Sequence, residues 1–147
     1  VQEEVGLFGP TTSAETVQPD LGIAVDISGS FDVPGDENGN PVLGKGAAIK
    51  INDSSVICDC EKTKGLIDCA ERNRIPYQRD ALVAGGTDAG AINKSGGGVK
   101  VLGISIPTRY GHTPNSIVNL DDVEACIRLM ECYLQEEIPI ITQEKIK

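Results

Sequence analysis

Four short segments typical of strands alternate along this chain with two segments of helical spacing, and this alternation limits the possible folds more than any other feature. The pattern predicts strands at residues 21–27, 47–51, 78–83 and 99–106 and helices at residues 61–72 and 119–135. Strands that alternate with helices indicate an α/β fold whose sheet is at least partly parallel. In such sheets ligands gather at the carboxyl ends of the strands, so the segments that follow the strands are the first places to look for a site.

Each predicted helix has one apolar face that should pack against the sheet. For the first helix this face is predicted to contain Leu66, Ile67, Cys69 and Ala70. For the second helix it is predicted to contain Val123, Ile127, Met130 and Leu134. Two acidic residues in the first turn of the second helix, Asp121 and Asp122, suit the positive end of a helix dipole.

Composition narrows the class of partner. The chain has 147 residues and a net charge of −9, which argues against nucleic acid or an anionic membrane as its partner. No apolar stretch approaches the roughly 18 residues of a spanning helix. The five cysteines are odd in number and irregularly spaced, which favours reduced structural thiols in a cytoplasmic protein over a zinc or disulfide role.

Three acidic residues and one histidine are the candidate metal ligands and catalytic groups. Glu3 and Glu4 are adjacent, so they could serve one site only at a strand end or a bend. Asp26 ends an apolar run, and His112 follows the last predicted strand. Each also has an ordinary interpretation: a solvated surface pair, a turn or cap, and a structural imidazole. A catalytic metal needs about three protein ligands and an open position, so these residues predict an incomplete site.

A glycine-rich segment at residues 84–91 allows close approach of the backbone to a ligand, and it contains Gly86, Thr87 and Asp88. It lacks the Lys-Ser/Thr pair of a phosphate-binding loop, and its glycines do not match a dinucleotide fingerprint. A generic glycine-rich turn is the alternative interpretation.

Four ordered motifs carry a resemblance to a known family. They are VQEEVGL at residues 1–7, AVD at 24–26, GGTDAGAI at 85–92 and ISIPTRYGH at 104–112. Together they resemble the glutamyl aminopeptidase or TET family of dinuclear metallo-aminopeptidases, some of whose members have been catalogued as cellulases or endoglucanases. By this resemblance, residues 1–147 correspond to the C-terminal part of the catalytic domain, without its N-terminal part and without the inserted β domain.

The resemblance implies a role for each candidate residue. Glu3 would be the general base that activates water, Glu4 and His112 would bind one metal ion, and Asp26 would bind the other. The family implies two divalent ions, zinc or cobalt, with manganese also suited to such oxygen and nitrogen ligands. Substrate contacts are expected for Gly86, Thr87, Asp88 and Arg109.

The resemblance also implies an αβα sandwich of the zinc-peptidase type, peptide substrates that lose their N-terminal residues, and a large homo-oligomer, a dodecamer. Two other hypotheses stay open at this point. The chain could be a catalytically inactive fragment or a structural or binding domain, because a bridging carboxylate and a second imidazole are missing. A glycoside hydrolase would need two opposed carboxylates at a defined separation, which adjacent Glu3 and Glu4 do not suggest.

Overall fold

The computed structural model describes residues 2–36, 39 and 41–145, and of residues 137–145 it describes the backbone alone. The elements in chain order are α1 (Phe8–Val17), β1 (Leu21–Gly29), β2 (Ala47–Asn52), α2 (Cys60–Arg72), β3 (Tyr77–Ala81), α3 (Asp88–Asn93), β4 (Lys100–Arg109), β5 (Ile117–Val118) and α4 (Leu120–Lys145). The four predicted strands and both predicted helices are therefore present, with ends shifted by one to three residues in most cases. Helix α4 extends ten residues beyond its predicted end.

The strands form one mixed sheet in the order β1-β4-β2-β3, and the short β5 pairs with β4. Strands β1 and β4 are parallel and in register over nine pairs, from Leu21 with Lys100 to Gly29 with Thr108. Strands β2 and β3 are parallel to each other, whereas β2 runs antiparallel to β4. The prediction of a partly parallel sheet is confirmed. Because β1 and β4 point the same way, the segments that follow them meet at one edge of the sheet.

Helices cover both faces of this sheet. On one face, α2 and α4 bury a cluster that includes Ile49, Leu102 and Ile104 from the strands and Leu66 and Leu129 from the helices. On the other face, α3 contributes to a smaller cluster whose buried members are Ala24, Val56, Ala89 and Val101. The neighbouring residues Val101 and Leu102 lie on opposite faces, as strand geometry requires. The arrangement is the predicted αβα sandwich.

The predicted apolar face of α4 is partly wrong. Ile127 is 62% exposed and Leu134 is 37% exposed, although both were expected in the core. The buried face is rotated and consists of Asp122, Ala125, Cys126, Leu129 and Tyr133. Small residues lie where the helix approaches the sheet, and the buried Asp122 carboxylate accepts hydrogen bonds from the backbone N–H groups of Gly44 and Gly46, at 2.7 Å each. Choosing the largest aliphatic residues therefore selected the wrong face.

Helices α1 and α3 and strand β5 were not predicted. Helix α3 begins inside the segment that was interpreted as a glycine-rich turn. Thr87 is extended and precedes the helix, and Asp88 occupies the first turn, which are ordinary signals of a helix start. The glycine count of the segment hid these signals.

All five cysteines are free thiols. Burial raises the pKa of Cys58, Cys69 and Cys126 to about 11 in each case, so these thiols stay protonated near neutral pH. Within the part of the chain that the structure describes, no helix is long and apolar enough to cross a membrane.

Candidate active site

A cavity of about 480 Å³ lies at the edge of the sheet where β1 and β4 end. Four separate segments line it: the turn before α1, the end of β1, the loop before α3 and the loop after β4. Their lining residues include Glu3, Glu4, Asp26, Gly86, Thr87 and His112. Residues that are up to 109 positions apart in sequence thus meet around one space. Asp88 and Arg109 are the two predicted site residues that do not line the cavity.

Glu4 and His112 face each other in the site. The distance from His112 Nδ1 to Glu4 Oε1 is 3.5 Å, and each side chain is 71% exposed. A carboxylate and an imidazole that face each other at the surface of a cavity are suitable donors for one divalent ion. The pairing also shows that the turn before α1 contacts the loop after β4.

Glu3 is the more buried member of the acidic pair. Burial raises the pKa of Glu3, and the nearby negative charges of Asp26, Glu4 and Asp88 raise it further, whereas His112 opposes the shift. A carboxylate with a raised pKa is a better acceptor of protons near neutral pH. Its backbone carbonyl accepts hydrogen bonds from Gly6 and Leu7 at 3.2 and 3.0 Å, which places Glu3 on a tight turn. This is the bend that two adjacent glutamates need to serve one site.

Asp26 lies in β1, three residues before the end of the strand. Its Oδ1 atom accepts a 2.7 Å hydrogen bond from the backbone N–H of Ile27. Burial raises the pKa of Asp26, although this hydrogen bond and the positive charge of Lys50 oppose the shift. The side chain faces the cavity as a second carboxylate, separate from the Glu4–His112 pair.

Backbone strain concentrates around this cavity. Of the six non-glycine residues with a left-handed backbone in the described part of the chain, four lie in the two segments that bring Glu4 and His112 together: Gln2, Leu7, Tyr110 and His112. Such conformations cost free energy and are commonly found at functional sites. We infer that these strained conformations serve to position the side chains of Glu4 and His112.

The glycine-rich loop is anchored from behind. Thr87 Oγ1 donates a 2.9 Å hydrogen bond to the buried carboxylate of Asp53. Although burial opposes it, hydrogen bonds from Ser55, Thr87 and Val56 hold the pKa of Asp53 below its usual value. Gly90 packs so closely on Ser55 that a Cβ there would lie 2.1 Å from the Ser55 hydroxyl oxygen. The Thr87 hydroxyl therefore holds the loop before α3 in place. Gly86 of this loop lines the cavity.

Arg109 is the last residue of β4 rather than part of the following loop. Its guanidinium donates two hydrogen bonds to Asp32, from Nε to Oδ1 at 2.8 Å and from the second terminal nitrogen to Oδ2 at 2.9 Å. Asp32 also accepts hydrogen bonds from Ser30 and from the backbone of Leu43. The structure thus commits Arg109 to holding the segment after β1 against the end of β4, away from the cavity, and a direct contact with substrate stays a prediction.

Replacing Asp32 with asparagine should destabilise the protein at neutral pH, because it removes the charge that Arg109 binds. The Arg109 guanidinium holds the pKa of Asp32 well below its usual value near 4. A lowered folded-state pKa stabilises the protein above the unfolded pKa, and this contribution is lost as the pH falls through the folded one. Urea unfolding of both proteins should therefore show a difference at pH 6 that shrinks by pH 2.5. An equal difference at both pH values would contradict the ion pair.

Several residues of the site were not foreseen from sequence. Ser28 and Leu82 line the cavity. Behind Ser28, the Lys50 ammonium and the Asp80 carboxylate form a 2.5 Å ion pair whose two side chains are 0% exposed. The sequence did contain a signal for this pair, because Lys50 interrupts an otherwise apolar strand and a charge there needs a partner.

The described residues suit a metal ion chemically but do not complete its ligand set. Glu4 and His112 are a matched pair of oxygen and nitrogen donors, and Asp26 offers a second carboxylate in the same cavity. Among the residues that the structure describes, however, no group of three histidine, cysteine, aspartate or glutamate side chains is close enough to hold an ion.

Residues 1–129 match the family model described as M42 glutamyl aminopeptidase. A putative aminopeptidase of Acetivibrio thermocellus is 44% identical over 130 residues, which are 88% of this chain and 39% of the relative. The chain therefore spans about two fifths of the length of that relative.

Solved structures of aminopeptidases are also similar to this chain. An aminopeptidase from the archaeon Desulfurococcus kamchatkensis matches with a TM-score of 0.89 and 40% identity, over 92% of this chain and 39% of that one. The TET1 peptidase of Pyrococcus horikoshii, described as able to assemble into a tetrahedron or a large octahedral shell, matches with a TM-score of 0.73 and 33% identity, over 90% and 38%.

Proposed function

Because this chain belongs to the M42 glutamyl aminopeptidase family, we propose that it forms the C-terminal part of the catalytic domain of a metal-dependent aminopeptidase. The reaction is the hydrolysis of the first peptide bond of a peptide, which releases the N-terminal residue. The observation that carries the proposal is the meeting of Glu3, Glu4, Asp26 and His112 around one cavity. The resemblance of their four sequence motifs to the family and their shared position around one cavity both support this assignment.

Each residue of the site has a distinct task. Glu4 and His112 hold one divalent ion, and Asp26 holds the second, with the remaining ligands supplied by a part of the longer protein outside this chain. When bound, zinc, cobalt or manganese ions act as Lewis acids that activate water and polarise the scissile carbonyl group. Glu3 accepts the proton of the attacking water at a carboxylate oxygen and delivers it to the leaving amine. Gly86, Thr87 and Asp88 position the peptide or the loop that contacts it.

The wider setting is also a proposal. Peptides are the substrates, and the protein acts in the cytoplasm without nucleic acid or membrane partners, in line with its net charge of −9. The assembly of the Pyrococcus horikoshii relative into closed shells supports a large homo-oligomer, and a dodecamer is the form we expect.

This function is tested with a protein that includes residues 1–147 and has the full length of the relatives. It should release N-terminal residues from peptides, lose that activity in a chelator and regain it with zinc or cobalt. Substituting His112 with alanine should weaken zinc affinity by at least about 10–100-fold, the loss seen for residues that only support a ligand. Calorimetric zinc titration measures this loss, and an unchanged affinity would remove His112 from the metal site.

The incomplete donor set favours a second candidate for residues 1–147 as a separate product, namely a catalytically inactive fragment or a structural or binding domain. Aminopeptidase activity from this chain alone would exclude that candidate. Activity of the longer protein but not of residues 1–147 alone would support both proposals. The longer protein would then be the aminopeptidase, and residues 1–147 alone would be inactive.

A further inference from the structure

A second apolar surface runs along α4 beside its buried face. It consists of residues spaced three and four apart, which we call the α4 stripe: Leu120, Val123, Ile127, Met130 and Leu134. Leu120 is 77% exposed and Ile127 is 62% exposed, although both are large aliphatic residues. Spacing of three and four residues is the pattern by which one helix packs along another. A helix that is apolar well beyond the face it packs through is normally buried on more than one side.

The α4 stripe is turned away from α2. Arg72 at the end of α2 donates a hydrogen bond to the Glu136 carboxylate of α4. Glu136 comes two residues after Leu134, so it lies about 200° around the helix axis from that end of the stripe. Helix α2 itself lies toward β3, because Tyr77 of β3 donates a 2.9 Å hydrogen bond to Glu71 of α2. In the sheet order β1-β4-β2-β3, the stripe is therefore turned toward β1.

Strand β1 exposes apolar side chains on the same face of the sheet. Ile23 packs against the cluster that α2 and α4 bury, whereas Ala24 belongs to the cluster on the α3 face. Side chains alternate along a strand, so Val25 lies on the α4 face together with Ile23. Helix α4 packs on β2 and β4, and Val25 is 60% exposed. The surface of β1 and the α4 stripe thus form the two walls of one apolar corner.

The rest of the proposed enzyme is the partner that this corner suits. The chain spans about two fifths of the length of the matched relatives, so most of the longer protein lies outside it. The α4 stripe begins directly after β5, which pairs with the end of β4 at the edge where the ligand set of the described residues is incomplete. The part that completes this set must therefore come close to the corner. Helix α3 packs on β1 from the other face, and a helix beside α4 would complete the second layer.

We propose that an amphipathic helix from the N-terminal part of the longer protein packs along the α4 stripe and covers Val25 of β1. The inference rests on the proposed function for the existence of that part, and it assigns to α4 an interface that the reaction itself does not use. The spacing of the stripe predicts a helix nearly parallel or antiparallel to α4, with a crossing angle of about 20°. The apolar residues of the partner helix should recur at the same spacing.

The experiment places p-benzoylphenylalanine, a photo-crosslinking amino acid, at Ile127 of the full-length protein and, as a matched control, at Gln135. Gln135 is also exposed on α4 but lies off the stripe. Irradiation should join position 127, and not position 135, to a helical segment in the N-terminal part of the same polypeptide, which peptide mass spectrometry identifies. A crosslink to a second subunit, seen as a doubled mass in a denaturing gel, would overturn the proposal. Equal crosslinking at the two positions, including none at either, would also overturn it.

Thiol accessibility tests the same interface with a smaller change. The thiol of Ile127→Cys should react with a maleimide at least about tenfold more slowly than that of Gln135→Cys, because a reagent reaches a covered thiol only when the structure opens locally. Peptide mass spectrometry separates these labels from that on the exposed native Cys60. Equal rates would overturn the inference.

Peptide hydrolysis by the same preparation separates this inference from the proposed function. An active protein with equal thiol rates would retain the aminopeptidase function and exclude the interface. A protein that binds metal but hydrolyses no peptide, with a slow thiol in Ile127→Cys, would support the interface and overturn the aminopeptidase function.

Discussion

Replacing Glu3 with glutamine is expected to lower kcat by about 10²–10⁴-fold, the contribution of a positioned general base. Glutamine has the same shape and still forms hydrogen bonds, but it cannot accept the proton of the attacking water. Burial and the charges of Asp26, Glu4 and Asp88 raise the pKa of Glu3, so the carboxylate is well suited to that task. Zinc content and substrate binding should persist, because Glu3 is not assigned to either ion. Steady-state kinetics and metal analysis of the same preparation measure the two effects separately.

The control for this prediction is Glu124→Gln, which makes the same chemical change at an exposed position on α4. It should retain the activity of the unsubstituted protein. Loss of zinc together with activity in Glu3→Gln would mean that Glu3 is a ligand, and retained turnover would remove it from the role of base. A fall in both variants would instead point to instability or to a general effect of charge.

The fold was largely predictable because the central residues of β1, β2 and β4 are largely apolar. Parallel strands that are buried on both faces have such sequences, and the run at residues 99–106 is typical of them. The end of β4 was less predictable: the strand was expected to end at residue 106, yet it continues to Arg109. Its last residues pair with β5, a contact that depends on residues 117–118 and that no local pattern reveals. The extra length moved Arg109 from the predicted loop into the strand.

The face of α4 shows where local reasoning failed. Val123, Ile127, Met130 and Leu134 form an apolar stripe, but the buried face consists of Ala125, Cys126, Leu129 and Tyr133 together with Asp122. The Asp122 carboxylate accepts hydrogen bonds from two backbone N–H groups of a distant loop. That loop is 76–78 residues away in sequence, so its demand for an acceptor could not be read from the helix.

That the candidate residues meet at one cavity was predictable from the sequence, but their contacts were not. Four motifs identified Glu3, Glu4, Asp26 and His112, and the fold places all four around one cavity. The hydrogen-bond partners of the other predicted site residues come from loops with no recognisable pattern. Asp53 binds Thr87, and Asp32 binds Arg109. Tertiary hydrogen bonds decide which polar residue faces a ligand and which supports another residue. Arg109 shows this dependence, because its guanidinium pairs with Asp32, a partner that no local pattern reveals.

Replacing Lys50 with methionine is the prediction with the largest expected effect on stability. The Lys50 ammonium lies 2.5 Å from Asp80 Oδ2, with both side chains 0% exposed, and 3.4 Å from the hydroxyl of Ser28. Removing the cation leaves the Asp80 carboxylate buried without its partner, and its other oxygen already lacks a hydrogen bond among the described residues. Breaking a buried ion pair on one side costs about 3–5 kcal/mol, so we expect a loss of that size in the free energy of unfolding.

Two further variants separate the charge from the packing. The Lys50 side chain crosses β4 at Gly103, where an added Cβ would lie 2.6 Å from the Lys50 Cβ, so its stem also fills space that methionine can occupy. The double variant Lys50→Met with Asp80→Leu should therefore recover most of the lost stability, since an apolar pair of similar volume can replace a buried ion pair. Lys64→Met breaks an exposed pair with Asp68 on α2 and should change stability by no more than about 0.5 kcal/mol. Urea unfolding at fixed protein and metal concentration compares the three variants. If Lys50→Met destabilised the protein no more than Lys64→Met, the Lys50–Asp80 pair would be hydrated in solution and would not stabilise the fold.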